Sequence, residues 1–388
     1  MSLFIIQETF FLCLYLYFTV IQDIYFWKKK KFYYLIIFSI FTALLLNTKI
    51  LGIIPISLFS IIYIYNFLNI FKKIINEKNI IVLFLFTTII SIYIFWPYLW
   101  SNPIANLYFA FKNILVAHEN LIVVNFYFGN YIQSDMMPWH YRAIWFLITT
   151  PIMILLLFIP GVFLFSLNIL NILKKTLNKN YSFNNNHFID LYFFLTFVVT
   201  FFIVQEFNTS KFGGWRHLYF LYPIVIYFAI YCLNFIKKNF RSKLFKIIVI
   251  FLLLLNLIYN FVWIVKNHPH QYLYFNNLNK NYFMKNFDLD WWGVSHKSSI
   301  DYILNNDDSD KISIYARGFT SLRDTYLYLN KHNKSRVVLS NIDDAKYIID
   351  NKIRRIRPYK QKNEKKYSEY YILKVNGVAV TVVYRKID

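Results

Sequence analysis

This sequence is short of most of what marks a soluble enzyme. Its 388 residues include 8 glycines, 9 prolines and 2 cysteines. It holds no P-loop, no dinucleotide-binding glycine fingerprint and no zinc-ligand spacing. Cys13 and Cys232 both fall in apolar runs, which suggests neither a disulfide framework nor a cysteine metal site. Only 16% of residues are charged, against about 25% in soluble domains. Acid is scarcest: 20 Asp and Glu stand against 42 Lys and Arg, a formal net charge of +22. Such an excess can mark a nucleic-acid partner. Here the lysines cluster between apolar segments, where a membrane protein carries its cytoplasmic charge, and no nucleic acid is expected. The start lacks a basic region and a small-residue cleavage site, so no cleavable signal peptide is read.

What the chain has in quantity is apolar and aromatic residues, 57% and 22%. They come in runs of roughly 17–25 residues, the length that crosses a bilayer as a helix. About eight spans are expected, near 3–26, 33–47, 50–70, 80–97, 143–170, 189–206, 218–236 and 246–265. Four basic clusters lie between them: Lys28 to Lys31; Lys72, Lys73 and Lys78; Lys174, Lys175 and Lys179; and Lys237, Lys238, Arg241, Lys243 and Lys246. Placing all four in the cytoplasm makes every span alternate. The link at Lys49, loops 98–142 and 207–217 and everything after 266 then face outward. The N-terminus also starts outside, and the expectation is that a portion preceding this stretch is missing.

Two regions are expected, a membrane domain over 1–266 and an extracytoplasmic α/β domain over 267–388. The second is polar. Its strand-like runs are "KISIYA", "RVVLS" and "AKYIID", and its amphipathic helices are "SHKSSIDYILNN" and "TSLRDTYLYLNK". It closes with two alternating runs joined by Asn376-Gly377, the strongest short-range hairpin signal.

Three outward-facing stretches could carry chemistry. In "FWPYLWSNPIANLYFAFKNILVAHEN", Asn102-Pro103 starts a helix whose apolar Ile104, Leu107, Phe111 and Leu115 suit an interfacial position. Trp139, His140, Tyr141 and Arg142 sit just outside the next span. They read either as an aromatic belt with a snorkelling arginine or as a cavity wall for a sugar or phosphate. In "KFGGWRHLYFLYP", Gly213 and Gly214 permit a tight loop, and Lys211, Arg216 and His217 stand at the lip of an apolar helix. An arginine there faces a cavity or a partner. Either it pairs with Glu206 or a headgroup, or it holds a lipid phosphate bidentately with help from Lys211 and His217. Asp288 and Asp290 have the i, i+2 spacing of a metal motif, but their aromatic flanks favour a structural role, and no metal site is assigned.

The ordered set "LLLNTKILGIIP", "FWPYLWSNP", "MPWHYRAIWFLITTPI", "GGWRHLYFLYP", "NHPHQYLYFNNL" and "FDLDWWGVS" resembles the membrane-embedded glycosyltransferases of the GT-C type. The branch is family 39, which holds protein mannosyltransferases and aminoarabinose transferases. The resemblance implies a GT-C-like α-helical polytopic fold in a bacterial inner membrane. It implies transfer of a sugar from a polyprenyl-phosphate donor to a hydroxyl on an acceptor glycan, lipid or protein, and leaves a divalent metal open. It makes Arg216 the phosphate contact, with Lys49 and His140 as further cavity residues. In the family an acidic residue in the first external loop acts as base, and here that loop is not found. Glu8 is the substitute candidate; Glu119, Asp135 and Glu206 are the other external carboxylates. The alternatives are a partner-dependent or non-catalytic remnant of such an enzyme, or a transporter of lipid-linked glycans.

Overall fold

The computed structural model describes residues 31–48, 52–58, 61, 78–120, 122–177, 185–206, 211–276, 279–318, 320–351 and 366–387. The fold is mostly helical, with a small sheet near its C-terminal end. Among the described residues, three helices are long and apolar enough to cross a bilayer: Ile152–Asn171, Arg216–Asn239 and Lys243–Lys266. Leu35–Asn47, Val82–Phe95 and Asp190–Ile203 are shorter apolar helices. The expected span at 3–26 and most of that at 50–70 lie outside the described residues. The chain divides into two compact units.

The first unit holds residues 1–117, 154–207 and 216–242. Its helices α1 (Lys31–Thr48) and α2 (Lys78–Phe95) lie side by side. Phe38 stacks on Phe84 with ring centroids 5.2 Å apart. The Ser39 hydroxyl reaches Phe84 O at 3.5 Å, and Asn47 Nδ2 donates to Ile92 O at 3.3 Å. Both partners advance together along the chain, so the two helices run parallel. Helix α3 (Pro103–Asn120) begins where expected, because the Asn102 side chain accepts from Ala105 N at 3.3 Å. Its Ile104, Leu107, Tyr108 and Phe111 form an exposed apolar stripe at helical spacing.

Among the described residues of this unit, three further helices pack on one another, and α5 takes part beyond residue 153. Phe165 on α5 (Ile152–Leu177, following α4, Tyr141–Thr149) meets Phe194 on α6 (Asn185–Glu206) and Phe228 on α7 (Tyr222–Asn239). Gly161 lies directly against the Phe228 carbonyl, where no side chain would fit. Small residues at such crossings let helix backbones approach closely in a membrane. Polar links cross the same core: Asn168 Nδ2 donates to the Tyr231 hydroxyl at 3.2 Å, and the Tyr227 hydroxyl donates to Asp190.

The second unit holds residues 118–153, 208–215 and 243–388. Helix α8 (Lys243–Lys266) buries only Trp263 and exposes apolar side chains on its other faces. A helix that is apolar all round suits lipid rather than water. Past it, the chain folds as α9 (Lys280–Asn286), α10 (Ser295–Asn306), β3 (Ile312–Arg317), α11 (Leu322–Leu327), α12 (Lys331–Arg336) and β4 to β7. The strands β4 (Val337–Leu339), β5 (Tyr347–Asp350), β6 (Tyr367–Val375) and β7 (Val378–Lys386) join β3 in a sheet of order β4-β3-β5-β7-β6. The pairs β3/β4 and β3/β5 are parallel; β5/β7 and β6/β7 are antiparallel. Ile300, Ile303 and Leu304 of α10 pack on Ile312, Ile314, Tyr347, Ile349 and Val383 of the sheet.

The expected strands and the helix at 295–306 are all present. The helix expected in 320–331 is present as α11 but ends at Leu327: Leu329 N turns back to Tyr326 O at 3.1 Å, and Asn330 caps the next helix, α12, by accepting from Asn333 N at 2.7 Å. The β6/β7 turn has Asn376 at φ 48° and Gly377 at φ 76°, as Asn-Gly predicts. A Cβ at Gly377 would meet nothing within 4 Å. Gly377→Ala should therefore lose only the cost of left-handed backbone, about 1 kcal/mol, read as a small drop in thermal midpoint. A drop several times larger would mean that the turn touches something else.

Candidate functional site

The sequence-predicted residues fall into both units. Glu8 and Lys49 lie outside the described residues, as do the side chains of Glu119 and Glu206. In the helical unit, Arg216 opens a 3-10 turn, Arg216–Leu221, that runs on into α7. Its Nε donates to His217 Nε2 at 3.3 Å. That bond requires a lone pair on Nε2 and so fixes the neutral imidazole with its proton on Nδ1. The apolar segment Arg216–Asn239 carries this basic pair at one end and Lys237 and Lys238 at the other, with no charged residue between.

In the second unit, the loop 98–142 contains a hairpin that the sequence reading missed. Strand β1 (Val124–Tyr127) pairs with β2 (Asn130–Gln133) across a turn with Phe128 at φ 49° and Gly129 at φ 78°. The turn signal is Phe-Gly rather than the usual Asn-Gly. Lys211 runs beside this hairpin. Its N–H donates to Ser134 O at 2.9 Å, its carbonyl accepts from Asn125 Nδ2 at 3.1 Å, and its ammonium reaches Met137 O at 3.3 Å. Gly213 and Gly214 both have positive φ, 64° and 69°. The Gly214 N–H donates to the Tyr141 hydroxyl at 3.1 Å, and a Cβ there would press on the Trp145 ring at 3.3 Å. Trp215 Nε1 donates to the Thr149 hydroxyl at 2.8 Å. The loop 211–215 is thereby laid against α4, which explains both glycines.

Exposure falls steadily from Trp139 through His140 to Tyr141 and Arg142. Trp139 is open to solvent, His140 is half-buried, and Tyr141 and Arg142 are buried. The Tyr127 ring lies 6.0 Å from His140 and 5.1 Å from Tyr141, which ties the hairpin to the start of α4. Burial pushes the Arg142 guanidinium down to about 10, against the neighbouring Tyr141 hydroxyl, which raises it.

The segment "FDLDWWG" turns its two carboxylates to different partners. Asp288 pairs with the hairpin: its N–H donates to Phe126 O at 2.9 Å, and its Oδ1 accepts from Phe126 N at 2.9 Å. Its Oδ2 is buried without a hydrogen-bond partner. Burial raises the Asp288 carboxyl to about 8, opposed only by the Phe126 N–H. Asp290 is a hub. It accepts from Tyr272 Oη at 2.8 Å, Val294 N at 2.9 Å, Ser295 N at 3.1 Å and the Ser295 hydroxyl. It thereby closes the Trp-Trp-Gly turn and holds the first N–H groups of α10. No group of three or more metal-ligating side chains occurs among the described residues.

Comparison of this chain with protein-family models, with curated proteins and with solved structures finds no match.

Proposed function

We propose that the chain is a membrane-embedded glycosyltransferase that moves a sugar from a polyprenyl-phosphate donor to an acceptor hydroxyl at the outer face of the membrane. The observation that carries this reading is the Arg216–His217 pair at the first turn of a 24-residue apolar segment. A guanidinium at that depth is costly unless it meets an anion, and a lipid phosphate is an anion delivered to that depth. In the reaction, the acceptor oxygen bonds to the anomeric carbon and the bond from that carbon to the phosphate oxygen breaks. A carboxylate takes the acceptor proton, and Arg216 stabilises the departing phosphate. The motif order quoted above supports the family; Glu8 is the carboxylate candidate.

The proposal includes about eight spans and an external C-terminal domain. The parallel run of α1 and α2 agrees with this. The expected span at 50–70, placed between them, would account for it. A transporter of lipid-linked glycans is the second reading, and the Asp190–Tyr227 pair within the helical unit is what favours it.

Arg216→Ala should leave insertion and folding intact and weaken binding of a polyprenyl-phosphate sugar at least about 30-fold, the cost of about 2 kcal/mol for removing one member of a half-buried charge pair. Vesicle-based donor binding and sugar transfer measure it. Donor binding equal to that of the parent chain would end the assignment.

A further inference from the structure

A second constellation lies entirely within the second unit, builds on the Asp290 hub and shares none of the residues proposed for sugar transfer. Ser298 is half-buried near the start of α10. Its Oγ lies 3.3 Å from His270 Nε2. His270 Nδ1 lies 3.3 Å from the Tyr272 hydroxyl, and that hydroxyl donates to Asp290 Oδ1 at 2.8 Å. The chain of contacts has one consistent direction. A phenol has a single proton, and here it is committed to the Asp290 carboxylate, so toward His270 the phenol oxygen can only accept. Nδ1 of His270 must then carry the ring proton, and Nε2 presents its lone pair to the Ser298 hydroxyl.

This is the arrangement nucleophilic catalysis needs: a hydroxyl, a base within reach, and a third group that fixes the base's tautomer. The 3.3 Å separations are in the range such pairs show before a substrate tightens them. Asp290 is itself fixed by the backbone of Val294 and Ser295, so the far end of the relay is rigid. Burial holds the His270 imidazole below its ordinary range, against the nearby Asp290 carboxylate, which raises it; His268 lowers it further. The ring is therefore neutral and able to accept a proton at pH 7. Ser298 differs from its neighbours Ser295 and Ser299, which are fully buried and hydrogen-bonded inward.

We propose that Ser298 is a nucleophile activated by His270 through the Tyr272–Asp290 pair, and that the C-terminal unit cleaves a carboxylic ester. Ser298 Oγ bonds to the acyl carbon while its proton passes to His270 Nε2. The ester C–O bond breaks, and the alcohol leaves with that proton. Water then attacks the acyl-serine, giving its proton to Nε2, and the acid departs as Ser298 is restored. This activity is separate from sugar transfer, and the loss of either reading leaves the other standing.

The test is to incubate the full-length detergent-solubilised chain with an alkyl fluorophosphonate and map the adduct by peptide mass spectrometry. Reaction forms the Oγ–P bond, breaks the P–F bond and sends the serine proton to His270. We expect the adduct on Ser298, absent in Ser298→Ala and formed at least about 100-fold more slowly in His270→Ala, the contribution of a general base. Ser298→Cys should transfer reactivity to iodoacetamide, with the same dependence on His270. No adduct on Ser298 of the parent chain would overturn the proposal, and so would an adduct forming at the same rate without His270.

Discussion

Asp288→Asn is expected to flatten the pH dependence of stability of the C-terminal unit. The carboxyl titrates near its ordinary 3.8 when unfolded and at about 8 when folded. A folded pKa above the unfolded one means that the native state binds the proton more tightly. Its stabilising contribution is complete below about pH 4 and is lost as pH rises through 8. Between those limits the parent chain should lose about 1.4 kcal/mol per pH unit from this group. That amounts to on the order of 4 kcal/mol between pH 4 and pH 7. Asparagine keeps an oxygen for the Phe126 N–H and removes the charge. The variant should therefore match the parent near pH 4 and exceed it at pH 8, by roughly 10 °C in thermal midpoint. Differential scanning of both chains across this range isolates the group, because every other titration is shared. Parallel profiles would mean that Asp288 is ionised and solvated, and that the contact between hairpin and tail is looser than described.

Gly161→Ala should be the most damaging one-methyl change in the helical unit. Alanine is the better helix former by about 1 kcal/mol, so on propensity alone the substitution would stabilise α5. Geometry reverses the sign. The new Cβ would overlap the Phe228 carbonyl oxygen, lie 2.8 Å from its carbon and press on Cys232 Cβ at 3.4 Å. The first two are backbone atoms of a neighbouring helix, so relief requires α7 to move as a body. Overpacking of this kind costs about 3 kcal/mol or more, and the helix gain offsets only part of it. We expect a fall of several degrees in the detergent midpoint, together with faster modification of Cys232, which is buried at this crossing. An unchanged midpoint would show that α5 and α7 do not meet at Gly161.

What could be read in the sequence was local. Asn376-Gly377 dictated its own turn, and the apolar positions of 295–306 dictated which face of α10 packs on the sheet. Arg216 stood out because a charge at the lip of an apolar run has few explanations. What could not be read was set by distant partners. Asp288 answers to Phe126, 162 residues away, and no spacing rule connects them. Nor does any local signal announce that the Lys211 ammonium reaches the Met137 carbonyl and that its backbone braces the hairpin. The relay of Ser298, His270, Tyr272 and Asp290 draws on a 3-10 turn, a loop and a helix, so its members show no common period. The hairpin at 124–133 escaped because neither strand alternates long enough to declare itself.

The order of strands in the C-terminal sheet bears on how the chain is made. Strand β7 is the last of the described strands in sequence, yet it lies inside the sheet, between β5 and β6. It supplies the buried Val380, Val382 and Val383. A nascent chain that has emerged only as far as β5 owns three strands, two of them parallel partners of β3, with one face of β5 unpaired. The sheet is therefore completed late, when β7 pairs with β6 across its turn and with β5 along its other edge. Until then β5 presents an open edge. A frameshift or early stop anywhere before β7 would remove an interior strand and not a dispensable rim. The cell would receive inserted helices carrying a sheet that cannot close, a product suited to proteolysis rather than to partial function.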